Sequence, residues 1–300
     1  MRTTIIICEK PDAALHVAEA LDEGEKPEKL NLKGVPFYHA RRRAEKILVC
    51  SAIGHLYEVD AKESTKRGYY PVWDIAWKPK HLANRGQQRQ GKWLATISEI
   101  AKEAEIFVNA CDYDIEGSLI GYMILRYACD RADEKARRMK FSTLTAQELR
   151  DAYSNLMPHL DYPLVDAGRC RHEVDWLYGI NLSRALTESA RKLSGRYTTL
   201  STGRVQGPTL RFVVRREEDI ATFVPIPFWM IRCILDVDGR SIPAMYQIEK
   251  VKTRSEAENV VEHCAGKTGV VREIESSVSH IPPPYPFDLA TLQSEAYRHF

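Results

Sequence analysis

The sequence predicts an α/β protein in which a mostly parallel sheet, covered on both faces, is followed by a helical unit and then by a β-rich one. Three observations predict it. Short β-branched or apolar runs alternate with helical stretches through the first half of the chain, helical periods dominate from about Ala146, and an Asp-Gly turn joins two strand-like runs after Phe223.

Taken in order, Thr3 to Cys8 (TTIIIC) is a β-branched run, Glu9 and Lys10 follow it, and Pro11 suits the first turn of a helix continuing to about Leu21. The strand, loop and helix pattern recurs at Lys46 to Ser51 and at Ile106 to Cys111. The latter leads through an acidic loop into an apolar helix, Leu119 to Tyr127. In a parallel sheet built this way the functional edge is the carboxyl ends of the strands. Helical periods occupy 146–157, 163–192 and 204–219. Phe228 to Val237 and Ile242 to Val251 then read as strands joined through Asp238-Gly239, and Gly269 to Ser279 as a further β-leaning run after a short helix. The proline stretch 282–286 is an extended connector. Asp288 caps a last helix that reaches Phe300 without a capping glycine. The expected division is a sheet domain at 1–155, a helical domain at 156–220, a β-rich domain at 221–280 and the start of another at 281–300.

Composition excludes several classes. A chain of 300 residues that is 44% hydrophobic and 28% charged is neither disordered nor collagen-like. Forty-three Lys and Arg against 41 Asp and Glu give only +2, so any nucleic-acid site must be a local patch rather than a general polycation. No apolar run approaches the ~18 residues of a membrane span, and Thr3 to Cys8 is shorter than the ~7–15-residue core of a secretory signal. A cytoplasmic protein with no membrane partner is expected. The seven cysteines are scattered, with no pair at zinc-site spacing, and read as reduced, mostly buried thiols.

The most informative segment is Cys111-Asp112-Tyr113-Asp114-Ile115-Glu116-Gly117, where three carboxylates at alternate positions lie between a buried strand and an apolar helix. Alternation puts them on one side if the backbone stays extended. Crowded like charges at a functional edge favour a hard divalent cation with oxygen ligands, Mg²⁺ above all. The competing reading is a solvated acidic loop capping the next helix. Glu9 and Lys10 lie after another strand at the same edge, and a glutamate and a lysine beside a metal suit phosphoryl chemistry, as acid or base and as phosphate partner. Alone, they would read as an exposed helix-start pair.

These residues carry a resemblance. CEKPDAA (Cys8 to Ala14), AIGHL (Ala52 to Leu56) and DYDIEG (Asp112 to Gly117) resemble the Toprim domain, a Rossmann-like fold, of the type IA DNA topoisomerases, on the side of the topoisomerase III branch. RMKFSTLT (Arg138 to Thr145), RHEVDWLYGINLSR (Arg171 to Arg184), LSTGRVQGPTL (Leu200 to Leu210) and PFDLATLQ (Pro286 to Gln293) continue it in the family's order over essentially the whole chain. The resemblance implies an enzyme that, with Mg²⁺ and without ATP, cuts one DNA strand through a tyrosine ester, passes another strand and reseals the break, acting on single-stranded or underwound DNA at the nucleoid. It implies a β-rich gate or arch after the helical domain. Glu9 would move a proton at the scissile phosphate and join the metal site, Lys10 would stabilise the phosphate, and Asp112, Asp114 and Glu116 would hold the metal. His55, Arg138, Arg171, Asp175, Arg204, Gln206 and Gln293 would line the path of the strand.

Helical spacing puts Cys170, Val174, Leu177 and Asn181 on a packing stripe and Arg171, Asp175 and Tyr178 on its neighbour. Arg171 and Asp175, four apart, would by themselves be a surface ion pair. Ser201 or Thr202 can cap the helix that follows, leaving Arg204 near its amino end where phosphate is favoured. The basic stretch from Ile75 to Ile97 (Lys78, Lys80, Arg85, Arg89, Lys92, with Trp77 and Trp93) suits single-strand binding, although a solvated loop with core tryptophans is the preferred reading. Arg41-Arg42-Arg43 reads as a charged turn between strands. The family's tyrosine block, of the form SYPRT or TYMRT, is absent, and neither Tyr285 nor Tyr297 matches it. The expectation is therefore a fragment or split subunit, inactive in cleavage alone, with the tyrosine on a second chain or a missing C-terminal part. A Toprim nuclease or primase, or a non-catalytic single-strand-binding subunit, are the competing functions.

Overall fold

The computed structural model describes residues 2–24, 26–62, 69–83 and 86–299. Arg85 and Phe300, which figured in the sequence reading, lie outside the described residues. The chain divides into two compact units, Met1–Glu218 and Asp219–Phe300.

In the first unit β1 (Arg2–Cys8) is central, because its run of apolar side chains is buried on both faces. Ile5 and Ile7 enter one core and Ile6 and Cys8 the other, as the two-residue strand period requires. α1 (Pro11–Leu21) opens with Pro11 in its first turn and buries Ala14, Val17, Ala18 and Leu21. β2 (Glu28–Leu32), β3 (Val35–Arg42) and β4 (Glu45–Ser51) form a meander, with Lys33 and Gly34 at positive φ in the first hairpin and Arg43 in the second. The arginine run is thus a turn between strands. β5 (Tyr57–Ala61) pairs antiparallel with β6 (Ile75–Pro79), and α2 (Lys80–Ala83) and α3 (Gln88–Ala101) follow. β7 (Ile106–Asn109) leads into α4 (Ile115–Tyr127), β8 (Arg137–Arg138) and α5 (Ala146–Ser154).

The six-stranded sheet has the order β2-β3-β4-β1-β7-β8, parallel from β4 to β8 and antiparallel at the β2-β3 edge. α3 and α4 cover the face of Ile5, Leu48 and Phe107; α1 and α5 cover that of Ile6, Val49 and Val108. α6 (Tyr162–Ser194) then packs against α4, where a Cβ on Gly168 would lie 3.1 Å from the Ile115 carbonyl oxygen, and α7 (Gln206–Ala221) follows.

The basic stretch from Ile75 is not a loop: it forms β6, α2 and α3, and Trp93 is core, with the Arg89 guanidinium 4.8 Å above its ring. The face of α6 that packs is also not the expected one. Val165 and Gly168 are buried, whereas Cys170 and Val174 are exposed, because the close approach to α4 sets the rotation of the helix. Likewise the cysteines divide, with Cys8, Cys50, Cys111 and Cys129 buried and Cys170, Cys233 and Cys264 exposed.

In the second unit β9 (Arg232–Val237) and β10 (Arg240–Met245) form the hairpin expected around Asp238-Gly239, both at positive φ, followed by α8 (Arg254–Cys264) and α9 (Leu289–His299). The strands are shorter than the sequence pattern suggested; beyond them the Tyr246 N–H donates to the Ile231 carbonyl at 3.0 Å and a bridge joins Trp229 and Val251. The run 269–279 is not a strand: Val270, Val271, Ile274 and Val278 are exposed and no strand pairs with them among the described residues. A β-branched composition without a neighbouring strand to pair with does not make a strand.

Candidate metal and nucleic-acid site

The parallel register of β1 with β7 pairs Ile7 with Asn109, so the segments after both strands leave the sheet side by side. Lys10, the residue before α1, reaches across with its Nζ 2.8 Å from Asp112 Oδ2 and 3.8 Å from Glu9 Oε1. Burial, and then the negative charge of Asp112, push the Glu9 carboxyl above the usual carboxylate range. The hydrogen bond to Asp112 holds the Lys10 ammonium more firmly charged than usual. Two strand ends therefore deliver a crowded set of carboxylates with one cation among them.

The acidic segment does not remain extended. Asp114 is the N-cap of α4, its Oδ1 accepting the Gly117 N–H at 2.7 Å, and the helix begins at Ile115. The turn is tight enough to need glycine: a Cβ on Gly117 would lie 2.2 Å from the Asp112 carbonyl oxygen. Glu116 consequently sits in the first helical turn rather than beside Asp112 and Asp114 on an extended edge. Its Oε2 accepts hydrogen bonds from His55 Nε2 and His172 Nε2, each at 2.8 Å, and its Oε1 lies 3.5 Å from Arg171 Nη1. Burial raises the Glu116 carboxyl, but the two histidine contacts outweigh it and leave the group below its ordinary range. His55 is lowered, mainly by burial. Gly54, at φ +76°, makes the turn that presents His55.

Arg138, expected along the path of a strand, is fully buried. Its Nη1 donates to the carbonyls of Asn109, Cys111 and Met139 at 2.9, 2.8 and 3.1 Å, and Nη2 to that of Asp112 at 2.7 Å. Nε has no hydrogen-bond partner among the described residues. The guanidinium is a clamp on the backbone that carries the acidic loop. Tyr113, within that loop, lies beneath Arg138 and Lys140 and donates its hydroxyl to Asp161 Oδ2 at 2.7 Å. Asp161 in turn caps α6 through the Leu164 N–H.

α6 carries the remaining predicted residues. Arg171 and Asp175 do not pair with each other: Arg171 turns to Glu116, while Asp175 takes the Arg204 guanidinium in a two-point contact at 2.5 and 3.2 Å. The segment bearing Arg204 is tied to α6 by Thr187 and Ser183, whose hydroxyls each accept an N–H from and donate to the carbonyl of Leu200 and Thr202 respectively. Gln206 is the exposed first residue of α7, and Gln293 is exposed on α9 of the second unit, as is Tyr297. The structure thus gathers Glu9, Lys10, His55, Asp112, Asp114, Glu116 and Arg171, and places Asp175 with Arg204 one turn further along α6.

Comparison with known proteins decides the family. The Toprim domain profile matches residues 4–144 and the DNA topoisomerase profile residues 159–300, together nearly the full chain. The chain belongs to the type IA DNA topoisomerase family. It is 43% identical over 296 residues to DNA topoisomerase 1 of Pyrococcus horikoshii, covering 99% of this chain and 43% of that protein. Against DNA topoisomerase 1 of Methanocaldococcus jannaschii it is 44% identical over 299 residues, 99% of this chain and 38% of the relative. With DNA topoisomerase 3 of Vibrio cholerae it shares 28% over 318 residues, 99% of this chain and 48% of that one. The chain therefore spans less than half the length of these curated relatives. A Toprim domain binds a divalent metal, and the strand-end acidic residues lie within it. Among the described residues no helix is long and apolar enough to cross a membrane.

Sequence reasoning missed His172, Tyr113, Asp161 and Asn109 as contributors. His172 stands beside Arg171 in RHEVDW, but only the approach of α6 to α4 shows that it meets Glu116. The Asn109 side chain supports the turn, accepting the Cys111 N–H at 3.0 Å.

Proposed function

We propose that this chain is the Toprim-bearing part of an enzyme that, with Mg²⁺ and without ATP, cleaves one DNA strand, passes another through the break and reseals it. The observation that carries the proposal is the convergence of Glu9-Lys10 and Asp112 from neighbouring parallel strands, closed by the 2.8 Å contact of Lys10 with Asp112.

A hard dication suits the donors present. Glu9, Asp112 and Asp114 offer only carboxylate oxygens, and the Glu9 carboxyl is raised by burial first and by the charge of Asp112 second. Bound there, the ion would offset charge on a phosphodiester. The chain's own residues do the rest. Glu9, holding a proton more readily than an ordinary glutamate, donates it to the oxygen that leaves on cleavage and recovers it on resealing. Lys10 draws a phosphate oxygen into the pocket. Arg171 and Arg204 lie along one side of α6, where they hold the backbone of a single strand, with Gln206 as a further contact; Gln293, in the second unit, is a DNA contact of its own. The nucleophilic tyrosine comes from outside these 300 residues, on a C-terminal continuation or a second chain.

The test pairs two preparations. The 300-residue chain should retain a single-stranded oligonucleotide on a native gel yet form no denaturant-stable adduct, and the protein carrying the tyrosine should relax negatively supercoiled plasmid with Mg²⁺ alone. Asp112→Asn with Asp114→Asn should abolish relaxation. An adduct on the 300-residue chain would refute the external tyrosine; nicks with free ends would point to a Toprim nuclease instead.

A further inference from the structure

Outside the oxygen-only donors of Glu9, Asp112 and Asp114, one cluster has a different chemistry. His55 Nε2, His172 Nε2 and a Glu116 carboxylate oxygen lie within 4.8 Å of one another. They come from three separate elements: the turn after β4, the first turn of α4 and the middle of α6. We propose that His55, Glu116 and His172 form a binding site for a nitrogen-preferring transition-metal dication such as Zn²⁺, separate from the Mg²⁺ donors Glu9, Asp112 and Asp114.

Two imidazoles and one carboxylate, with a further position left to solvent, make a donor set that zinc takes in open sites. Imidazole nitrogen favours d-block ions over Mg²⁺, which prefers oxygen ligands and keeps its waters. Each Nε2 lies 2.8 Å from Oε2. A tetrahedral ion with bonds of about 2.0–2.1 Å spaces its ligand atoms about 3.3 Å apart. The three ligand atoms now lie within 4.8 Å of one another, so an ion enters when the carboxylate oxygen withdraws and the two imidazoles rotate toward each other.

The rings are held for this. Those of His55 and His172 lie 4.7 Å apart, and Trp77 packs 5.9 Å from His172 while its Nε1 donates to Glu173 Oε1 at 2.8 Å. Glu116 and His172 keep about a third of their side-chain surface exposed, which leaves a path for the ion and its water. Arg171 approaches the other carboxylate oxygen, Oε1, so it need not leave.

Titration of the chain with Co²⁺, read by visible d–d absorption, tests the site without any activity. The expected result is one equivalent bound with an intense, tetrahedral-type spectrum that excess Mg²⁺ does not remove and that Zn²⁺ abolishes. His55→Gln and His172→Gln should each weaken Co²⁺ binding by more than about 100-fold, beyond the ~10–100-fold cost of losing only an outer partner. X-ray absorption of the Zn²⁺-loaded wild-type protein should count two imidazoles, which keeps the test decisive even if a glutamine variant misfolds. A weak octahedral-type spectrum insensitive to both histidines, or zinc with oxygen ligands only, would overturn the proposal. Asp112→Asn separates it from the proposed function: it should leave the Co²⁺ spectrum in place while removing Mg²⁺ binding. Wild-type protein that binds Co²⁺ through the histidines but not Mg²⁺ would sink the Mg²⁺ reading alone.

Discussion

Replacing Arg138 with methionine keeps most of its volume and removes the hydrogen bonds to the carbonyls of Asn109, Cys111, Asp112 and Met139. The Asn109 carbonyl keeps the Met139 N–H at 2.9 Å, but each of the other three left without a donor costs about 1–3 kcal/mol, and the loop can relax to recover part of that. The net loss should be about 4 kcal/mol, near the ~3–5 kcal/mol seen when a buried charged network loses a member. For a unit of this size that corresponds to a fall in Tm of roughly 8–16 °C. Trp73, Trp77, Trp93 and Trp176 lie in the first unit and only Trp229 in the second, so tryptophan fluorescence during urea or thermal unfolding reports mainly the unit concerned. Arg138→Lys should recover only part of the loss, since one ammonium has three donors at a point whereas the guanidinium spreads its donors over four carbonyls. A loss below about 1 kcal/mol for the methionine variant would refute the clamp, because the carbonyls of Cys111, Asp112 and Met139 would then have other partners.

Glu9→Gln should stabilise the protein at neutral pH, because the folded state holds this carboxyl above its usual range. Above the raised value the ionised form is penalised only in the folded protein, and below the ordinary carboxylate range both states are protonated, so the gain should vanish as the pH is lowered through that window in urea melts; a gain that persists in acid would contradict it. Asp175→Asn should release Arg204 and tighten single-strand binding, with the log affinity against log salt slope steeper by about 0.7, one phosphate contact, in fluorescence anisotropy. Weaker binding would show that Asp175 orients Arg204 rather than competing for it. In a thiol titration of the native protein Cys170, Cys233 and Cys264 should react promptly, and Cys8, Cys50, Cys111 and Cys129 only after unfolding, since burial pushes the latter thiols up as well as shielding them. Prompt reaction of a fourth thiol would show that the core of the first unit opens readily.

Much of the fold was legible because it is written in local periodicity. The TTIIIC run must be a strand covered on both sides, Pro11 marks a helix start, and Asp238-Gly239 marks a hairpin, all of which the structure contains. The meander of β2 and β3 was not read, since EKLNL and VPFYHARR mix exposed and half-buried positions at a sheet edge and show no clear alternation. The run 269–279 failed in the opposite sense: its β-branched residues promised a strand, and no pairing partner exists for it among the described residues.

For the site, the chain by itself determined which chemistry was available. Carboxylates placed directly after buried strands must gather at one sheet edge, and the ordered blocks from Cys8 to Gln293 marked the family. Tertiary structure decided what each group does. Glu116 meets His55 and His172 across separations of 61 and 56 residues, Arg171 leaves Asp175 for that same carboxylate, and Arg138 turns inward to the acidic loop. Such partnerships depend on the tight turn at Gly117 and on how closely α6 approaches α4 at Gly168, and a contact between distant segments leaves no period in the sequence from which it could be read.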